Sequence, residues 1–328
     1  MGFVTNISDF GSLAIVGLEK NTGKTECLNY ILGQLGGQAE RFALTSVGID
    51  GESRDQVCQT AKPEIEIPEG MIFVTSEKHY REKRLAAEVL DVSLERTALG
   101  RLITARARMS GKLLLSGPSD TAGLKALIDR LKARGVGTTI VDGALSRLSL
   151  ASPAVTEAAV AGNIPELVRK TKYVYELIGI EEIEDALRTR LDPLTQGVWA
   201  VSGGGEPIDL ELPSVLMLER SGENLFRHGR RIYATGIVTD KLFQLLRTQQ
   251  REVELIVRDF TRVFASPEAF YAFLRRGHRI RVVHRSRLLA VTVNPTAPSG
   301  LVLDSRRLCE AMQEALQIPV YDVKKMPE

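Results

Sequence analysis

The residues of this sequence best suited to chemistry follow a short apolar run near the N-terminus. Residues 12–16 predict a strand, and the turn after them ends in Gly23-Lys24-Thr25, where a predicted helix begins. Backbone N–H groups of such a turn and of a helix N-terminus bind phosphate oxygens. The Lys24 ammonium would lie near the β- and γ-phosphates, and the Thr25 hydroxyl would coordinate Mg²⁺. The segment therefore predicts a site for a nucleotide triphosphate.

The spacing of this turn departs by one position from the strict phosphate-loop pattern. Five residues separate Gly17 from Gly23, where the pattern has four. The alternative interpretation is a simple strand–turn–helix connection, but the direct succession of apolar strand, Gly-Lys-Thr and helix favours the phosphate site. The residues predicted to contact the nucleotide are Lys20, Asn21, Thr22, Gly23, Lys24, Thr25 and Glu26.

Two carboxylates, Asp50 and Asp142, come directly after predicted buried strands. Because the carboxyl ends of parallel strands meet at one edge of a sheet, both would face the same crevice as the Gly-Lys-Thr turn. Mg²⁺ prefers such oxygen ligands, although an Asp-Gly turn or a helix cap is the alternative for each residue. The predicted metal ligands are Thr25, Asp50 and Asp142, and the predicted catalytic residues are Lys24, Asp50 and Glu52, the last to orient an attacking water.

A sheet flanked by helices is needed to bring these side chains together. Strand and helix signals alternate through the first half, which predicts an α/β fold with a doubly wound, mostly parallel sheet. Apolar periodicity predicts helices over 120–133 and 164–178, and residues 102–107 with 112–115 predict a hairpin. The segment 117–120, before the first of these helices, either caps that helix or faces the nucleotide, and capping is the favoured interpretation.

The chain divides by turn chemistry and by charge. Clustered Gly, Pro and Asp residues predict a linker over 191–213, between a nucleotide-binding domain (1–190) and a smaller Arg-rich α/β domain (214–328). Between 227 and 287, thirteen Arg and one Lys stand against five Asp or Glu, a net charge of +9 in a chain of net charge +2. The arginines either contact a partner or are solvated residues that cover apolar surface. Their spread through predicted strands and helices argues against nucleic acid as that partner.

The composition excludes several classes of protein. With 44% hydrophobic and 26% charged residues the chain is typical of globular proteins, and no apolar run approaches the roughly 20 residues that span a bilayer. The first residues do not resemble a signal peptide. Three widely separated cysteines exclude a local disulfide framework. We therefore expect a cytoplasmic protein with no membrane partner.

The segment 15–30 resembles the phosphate loop and first helix of the P-loop subunit of the lysine 5,6-aminomutase reactivase family. Segments 44–52, 141–147 and 294–300, the last followed by 318–322, are similar to the same family, so the likeness extends from near residue 13 to near residue 323. Asp142 lies in one of these segments and resembles a Walker B aspartate. The loop with five residues between its glycines also occurs in dethiobiotin-synthetase-like P-loop proteins, and 159–163 departs from the family's Thr-Gly-Ala pattern.

The resemblance implies a P-loop NTPase domain of the dethiobiotin-synthetase (SIMIBI-like) type that binds ATP and Mg²⁺. It also implies a chaperone-like factor that hydrolyses ATP slowly to exchange the damaged cofactor of a cobalamin-dependent aminomutase, together with a second reactivase subunit. The alternative is an ATP-dependent small-molecule ligase or kinase on the dethiobiotin-synthetase plan. In that enzyme Asp50 and the Arg-rich domain would shape a pocket for an anionic substrate.

Overall fold

A computed structural model describes residues 3–15, 24–47, 65–142, 164–215, 225–296 and 302–326. The helices of this part of the chain are α1 Lys24–Gln34, α2 Glu77–Glu82, α3 Thr121–Ala133, α4 Ile164–Ile178, α5 Asp185–Leu191, α6 Asp240–Arg247, α7 Pro267–Arg275 and α8 Ser305–Leu316. The first strands are β1 Ser12–Ile15, β2 Phe42–Ser46, β3 Ile65–Ile67, β4 Ile72–Ser76, β5 Ala87–Thr97, β6 Gly100–Ala107, β7 Gly111–Leu113 and β8 Thr138–Asp142. The remaining strands are β9 Val198–Val201, β10 Pro207–Leu212, β11 Arg231–Ala234, β12 Val238–Thr239, β13 Glu254–Val257, β14 Val263–Phe264, β15 Arg279–Val282, β16 Val291–Thr292 and β17 Val320–Tyr321.

The chain forms two compact units whose bounds differ from the predicted domains. The first unit contains residues 1–146, 289–310 and 318–328, and the second contains 147–288 and 311–317. The segment 191–213, predicted as a linker, forms β9 and β10, which pair as an antiparallel hairpin. The Gly-rich turn at 202–205 therefore joins two strands inside the second unit and does not separate domains.

The first unit contains a six-stranded mixed sheet in the order β1-β8-β2-β4-β6-β5. The pairs β1–β8, β8–β2 and β2–β4 are parallel, whereas β4–β6 and β6–β5 are antiparallel. Every residue of β2 and β4 is buried. This explains why each begins with three consecutive apolar residues, because a strand covered on both faces has no polar side.

Helices α1 and α3 cover opposite faces of this sheet. Leu28 of α1 belongs to the same apolar cluster as Leu44, whereas Leu131 of α3 packs with Ala43. Consecutive residues of a strand point to opposite faces, so the two helices lie on different sides. The predicted α/β class and the helices on both faces are confirmed, but the sheet is mixed.

The predicted hairpin of 102–107 with 112–115 is wrong. Strand β6 pairs with the preceding strand β5, and β7 pairs antiparallel with β3. The helices predicted over 120–133 and 164–178 are confirmed as α3 and α4. Among the described residues, no helix is both long enough and apolar enough to cross a membrane.

The second unit contains a five-stranded sheet in the order β10-β9-β11-β13-β15, in which the last three strands are parallel. Leu187 of α5 packs in one cluster with Tyr233 and Ile256 of the sheet. Helix α7 begins at Pro267, where the Ser266 hydroxyl caps the helix by accepting a hydrogen bond from Ala269 N. Helix α4 packs on α7 through aromatic rings.

Candidate functional site

The carboxyl ends of three parallel strands lie side by side in the first unit. Asp142, the last residue of β8, pairs in register with Ile15 of β1 on one side and with Ser46 of β2 on the other. The chain after Ile15 continues into the predicted phosphate loop. The register therefore places Ile15, the last described residue before that loop, beside one predicted magnesium ligand.

The backbone of Asp142 is held by its neighbour β2. The Ser46 hydroxyl donates to the Asp142 carbonyl oxygen at 3.1 Å, and the Val47 N–H approaches the same oxygen at 3.3 Å. Asp142 itself is half-buried. The carboxylate thus projects from a strand end whose main chain is fixed, as a ligand at a strand end requires.

Helix α1 begins with the predicted residues Lys24, Thr25 and Glu26. Lys24 and Thr25 are half-buried, and the first turn of a helix presents N–H groups that have no partner within the helix. Glu26 instead pairs with Lys324 Nζ at 3.6 Å, where both side chains are about half exposed. The structure therefore connects Glu26 to the C-terminal segment of the same unit.

Cys27, the next residue of α1, is buried beneath this turn. Burial raises the pKa of its thiol, and a hydrogen bond with the Thr292 side chain opposes that shift. The neutral thiol packs in the same apolar cluster as Leu28. Cys27 thus anchors the first turn of α1 to the core.

The loop before α3 packs directly on the carboxyl end of β2. A Cβ atom on Gly117 would lie only 1.7 Å from the Ser46 carbonyl oxygen and 3.1 Å from Thr45 Oγ1. Asp120, at the end of this loop, caps α3 by accepting a hydrogen bond from Gly123 N at 2.8 Å. The favoured capping role is thus confirmed for Asp120, while Gly117 lies against the strand end beside Asp142.

A network of hydroxyls holds this loop in place. The Ser116 hydroxyl oxygen accepts a hydrogen bond from Ser76 N at 2.8 Å and lies 3.2 Å from Thr75 Oγ1. Thr75 in turn donates to the Leu114 carbonyl oxygen at 2.9 Å. Residues 114–116 are thereby fixed to the end of β4, next to β2.

Thr45 is the polar residue at this edge that the sequence analysis missed. Its side chain is completely buried, and its hydroxyl has no hydrogen-bond partner in the part of the chain that the structure describes. A buried hydroxyl without a partner costs about 1–3 kcal/mol, so its presence at a strand end is notable. The sequence does contain a signal for this residue, because the polar pair Thr45-Ser46 ends an otherwise apolar run.

The other predicted site residues lie outside the described residues. These are Lys20, Asn21, Thr22 and Gly23 of the loop, and Asp50 and Glu52 after β2. Within the described ranges, no three His, Cys, Asp or Glu side chains cluster as a metal site. One or two carboxylates together with substrate phosphates are sufficient for Mg²⁺, and the oxygen donors of Asp142 and Thr25 are of the type it prefers.

Protein-family models, curated protein sequences and solved structures were each compared with this chain, and none matches it. The structure itself shows the class of protein. It is an α/β protein of two compact units, each of which contains a mixed sheet.

Proposed function

We propose that the carboxyl edge of the first sheet binds Mg-ATP. The observation that carries this proposal is the register that aligns Ile15, Asp142 and Ser46 at the ends of adjacent parallel strands. In open α/β sheets, ligands bind at this edge. The Lys24 ammonium and the first N–H groups of α1 would bind the phosphates.

Asp142 and Thr25 would hold the magnesium ion, with Asp50 as a further ligand and Glu52 orienting a water. When bound, Mg²⁺ would neutralise charge on the β- and γ-phosphate oxygens. Oxygen donors alone are available from these residues, which suits Mg²⁺ better than a softer metal. Glu26 retains its ion pair with Lys324 and would support the loop from outside.

We further propose that nucleotide hydrolysis reactivates a cobalamin-dependent aminomutase by exchange of its damaged cofactor, together with a second reactivase subunit. This rests on the sequence resemblance described above. Several arginines of the basic segment are already used within the second unit: Arg231, Arg258, Arg279 and Arg281 each pair with a carboxylate. Exposed arginines such as Arg251 and Arg275 would contact the partner, since arginine is enriched at interfaces.

The test is an ATP-hydrolysis assay with three arms: the protein alone, with an inactivated cobalamin-dependent aminomutase, and with a panel of amino and dicarboxylic acids. We expect slow hydrolysis alone and faster hydrolysis with the mutase, because a partner that reshapes the site raises the rate. Stimulation by the acids and none by the mutase would favour a small-molecule ligase or kinase. A heat-denatured mutase sample is the matched control.

A further inference from the structure

The second unit has its own sheet edge with polar side chains at the strand ends. Strands β11, β13 and β15 are parallel and end at Ala234, Val257 and Val282. Arg258 follows β13 directly, and His284 lies two residues beyond β15. These side chains occupy the position at which open α/β sheets bind ligands.

Two arginines at the opposite, amino edge of this sheet are paired with carboxylates. Arg231 lies between Glu254 and Glu184, at 2.9 and 3.1 Å, and Arg279 Nε lies 2.8 Å from Glu252. Those residues stabilise the unit without need of a ligand. The partners of the arginine side chains at the carboxyl edge can be compared with these ion pairs.

At the carboxyl edge, an arginine and a histidine share one carboxylate oxygen. Arg258 Nη2 lies 2.9 Å from Asp192 Oδ1, and His284 Nε2 lies 2.7 Å from the same atom. Arg258 also donates to the Asp192 carbonyl oxygen at 3.1 Å. Because Asp192 is the C-cap of α5, these contacts join that helix to the ends of β13 and β15.

Two further carboxylates near this edge are also engaged. Asp259 accepts a hydrogen bond from Thr261 N at 2.9 Å, and Asp240 accepts one from Ser266 N at 2.6 Å. Both residues thus stabilise the turns that follow the strands. Asp259 also accepts a hydrogen bond from Arg262 N through its carbonyl oxygen at 3.1 Å, but neither carboxylate has a hydrogen bond to the Arg262 side chain in the part of the chain that the structure describes.

Arg262 ends the short helical turn Phe260–Arg262 after β13. Its Nε is buried and has no hydrogen-bond partner among the described residues. Burial raises the pKa of the Tyr233 phenol; the charges of Arg258 and Arg262 oppose that shift, and the charge of Asp192 adds to it. A buried N–H donor without an acceptor is costly, and an incoming oxyanion would relieve that cost.

We propose that the carboxyl edge of the second sheet binds the oxyanion of a small molecule, a phosphate or a carboxylate group, with Arg262 as its principal donor. The planar guanidinium donates in parallel to two oxygens of such a group. Arg258, which also follows β13, is already paired with Asp192, whereas the buried Arg262 Nε has no acceptor among the described residues. This site is independent of the proposed nucleotide site of the first unit.

The experiment titrates inorganic phosphate and, separately, succinate into the full chain by calorimetry. All variants carry Lys24→Ala, which removes phosphate binding by the first unit. Adding Arg262→Gln should weaken binding ten- to a hundredfold, the loss expected when a charge-assisted hydrogen bond is removed. Adding Arg251→Gln, an exposed arginine at the amino edge, is the matched control and should leave the affinity unchanged. Preference for one anion identifies the chemical source of the oxyanion.

Equal affinity with and without the Arg262 guanidinium would overturn the proposal, and so would the absence of saturable binding for both anions. If Arg262→Gln melts well below the parent chain, the anion titrations are repeated with Arg262→Lys. This substitution retains the positive charge and removes the Nε donor. Weaker binding by Arg262→Lys supports the proposal, and binding equal to that of the parent overturns it.

Discussion

The two sheets of this protein present the same topological feature with opposite chemistry. At the carboxyl edge of the first sheet lie a carboxylate, Asp142, and the hydroxyls of Thr45 and Ser46. At the carboxyl edge of the second sheet lie the cations Arg258 and Arg262. We therefore propose a metal-bound phosphate as the ligand of the first edge and a bare anion as that of the second. Shared topology determines where a ligand can bind, and the residues after each strand determine which ligand.

The two edges also differ in how they are stabilised. Gly117 packs against a backbone carbonyl at the first edge, with no room for a Cβ atom. At the second edge, half-exposed side chains of Arg258, His284 and Asp192 hold the strand ends through ionic contacts. Close packing is insensitive to salt, whereas ion pairs of this exposure are screened.

The largest expected effect concerns the carboxylate of the first edge. Asp142→Asn keeps the shape of the residue and removes its charge, so Mg-dependent ATP hydrolysis should fall roughly a hundredfold, equivalent to about 3 kcal/mol. The melting temperature without nucleotide should change little. The matched control is Asp129→Asn on the exposed side of α3, which should hydrolyse ATP like wild type. An Asp142→Asn protein that melts early but keeps its specific activity would make Asp142 a structural residue.

A second effect tests the close packing at the first edge. Gly117→Ala forces a methyl group onto the Ser46 carbonyl oxygen and should destabilise the protein by about 3 kcal/mol. The melting temperature should then fall by roughly 6–12 °C. Gly33→Ala is the control, since that exposed glycine of α1 has no neighbour within 4 Å and should stabilise by about 0.5–1 kcal/mol. Equal melting temperatures for Gly117→Ala and wild type would contradict the packing described for this loop.

The smallest effect tests the ionic contacts of the second edge. Arg258→Gln leaves the Asp192 carboxylate with one cationic partner fewer and should lower the free energy of unfolding by about 1–2 kcal/mol, a modest value because both groups are partly exposed. The loss should shrink in 1 M NaCl, measured by urea unfolding. Arg251→Gln, at the amino edge, should unfold like wild type at both salt concentrations. A loss for Arg258→Gln that does not depend on salt would point to packing of the arginine stem instead.

The sequence predicted those elements whose signal is local. The apolar period of α3, including Leu127 and Leu131, and the buried run that precedes Asp142 are features of single segments. Asp142 could be assigned to a strand end for the same reason. Its alignment with Ile15 was expected only if the strands were parallel neighbours, which the register shows.

Elements whose partners no local signal marks could not be predicted. Residues 102–107 have the pattern of a hairpin strand, but sequence spacing does not reveal that the partner is β5 and not β7. Strand β5 has exposed apolar residues such as Leu94, so no clean alternation marks it. Two other features join residues that are far apart in the chain. Residues 289–310 belong to the first unit, and Asp192 contacts Arg258 and His284.

The central claim is that the first edge binds nucleotide, and the most direct test is a calorimetric titration of Mg-ATP into wild type, Lys24→Ala and Lys125→Ala. Lys125 is an exposed lysine of α3 and serves as the control. Removal of the Lys24 ammonium eliminates a charge-assisted contact of roughly 1.5–3 kcal/mol, so the affinity should fall about ten- to a hundredfold. Lys125→Ala should bind like wild type. Equal ATP affinity for wild type and Lys24→Ala would contradict the claim.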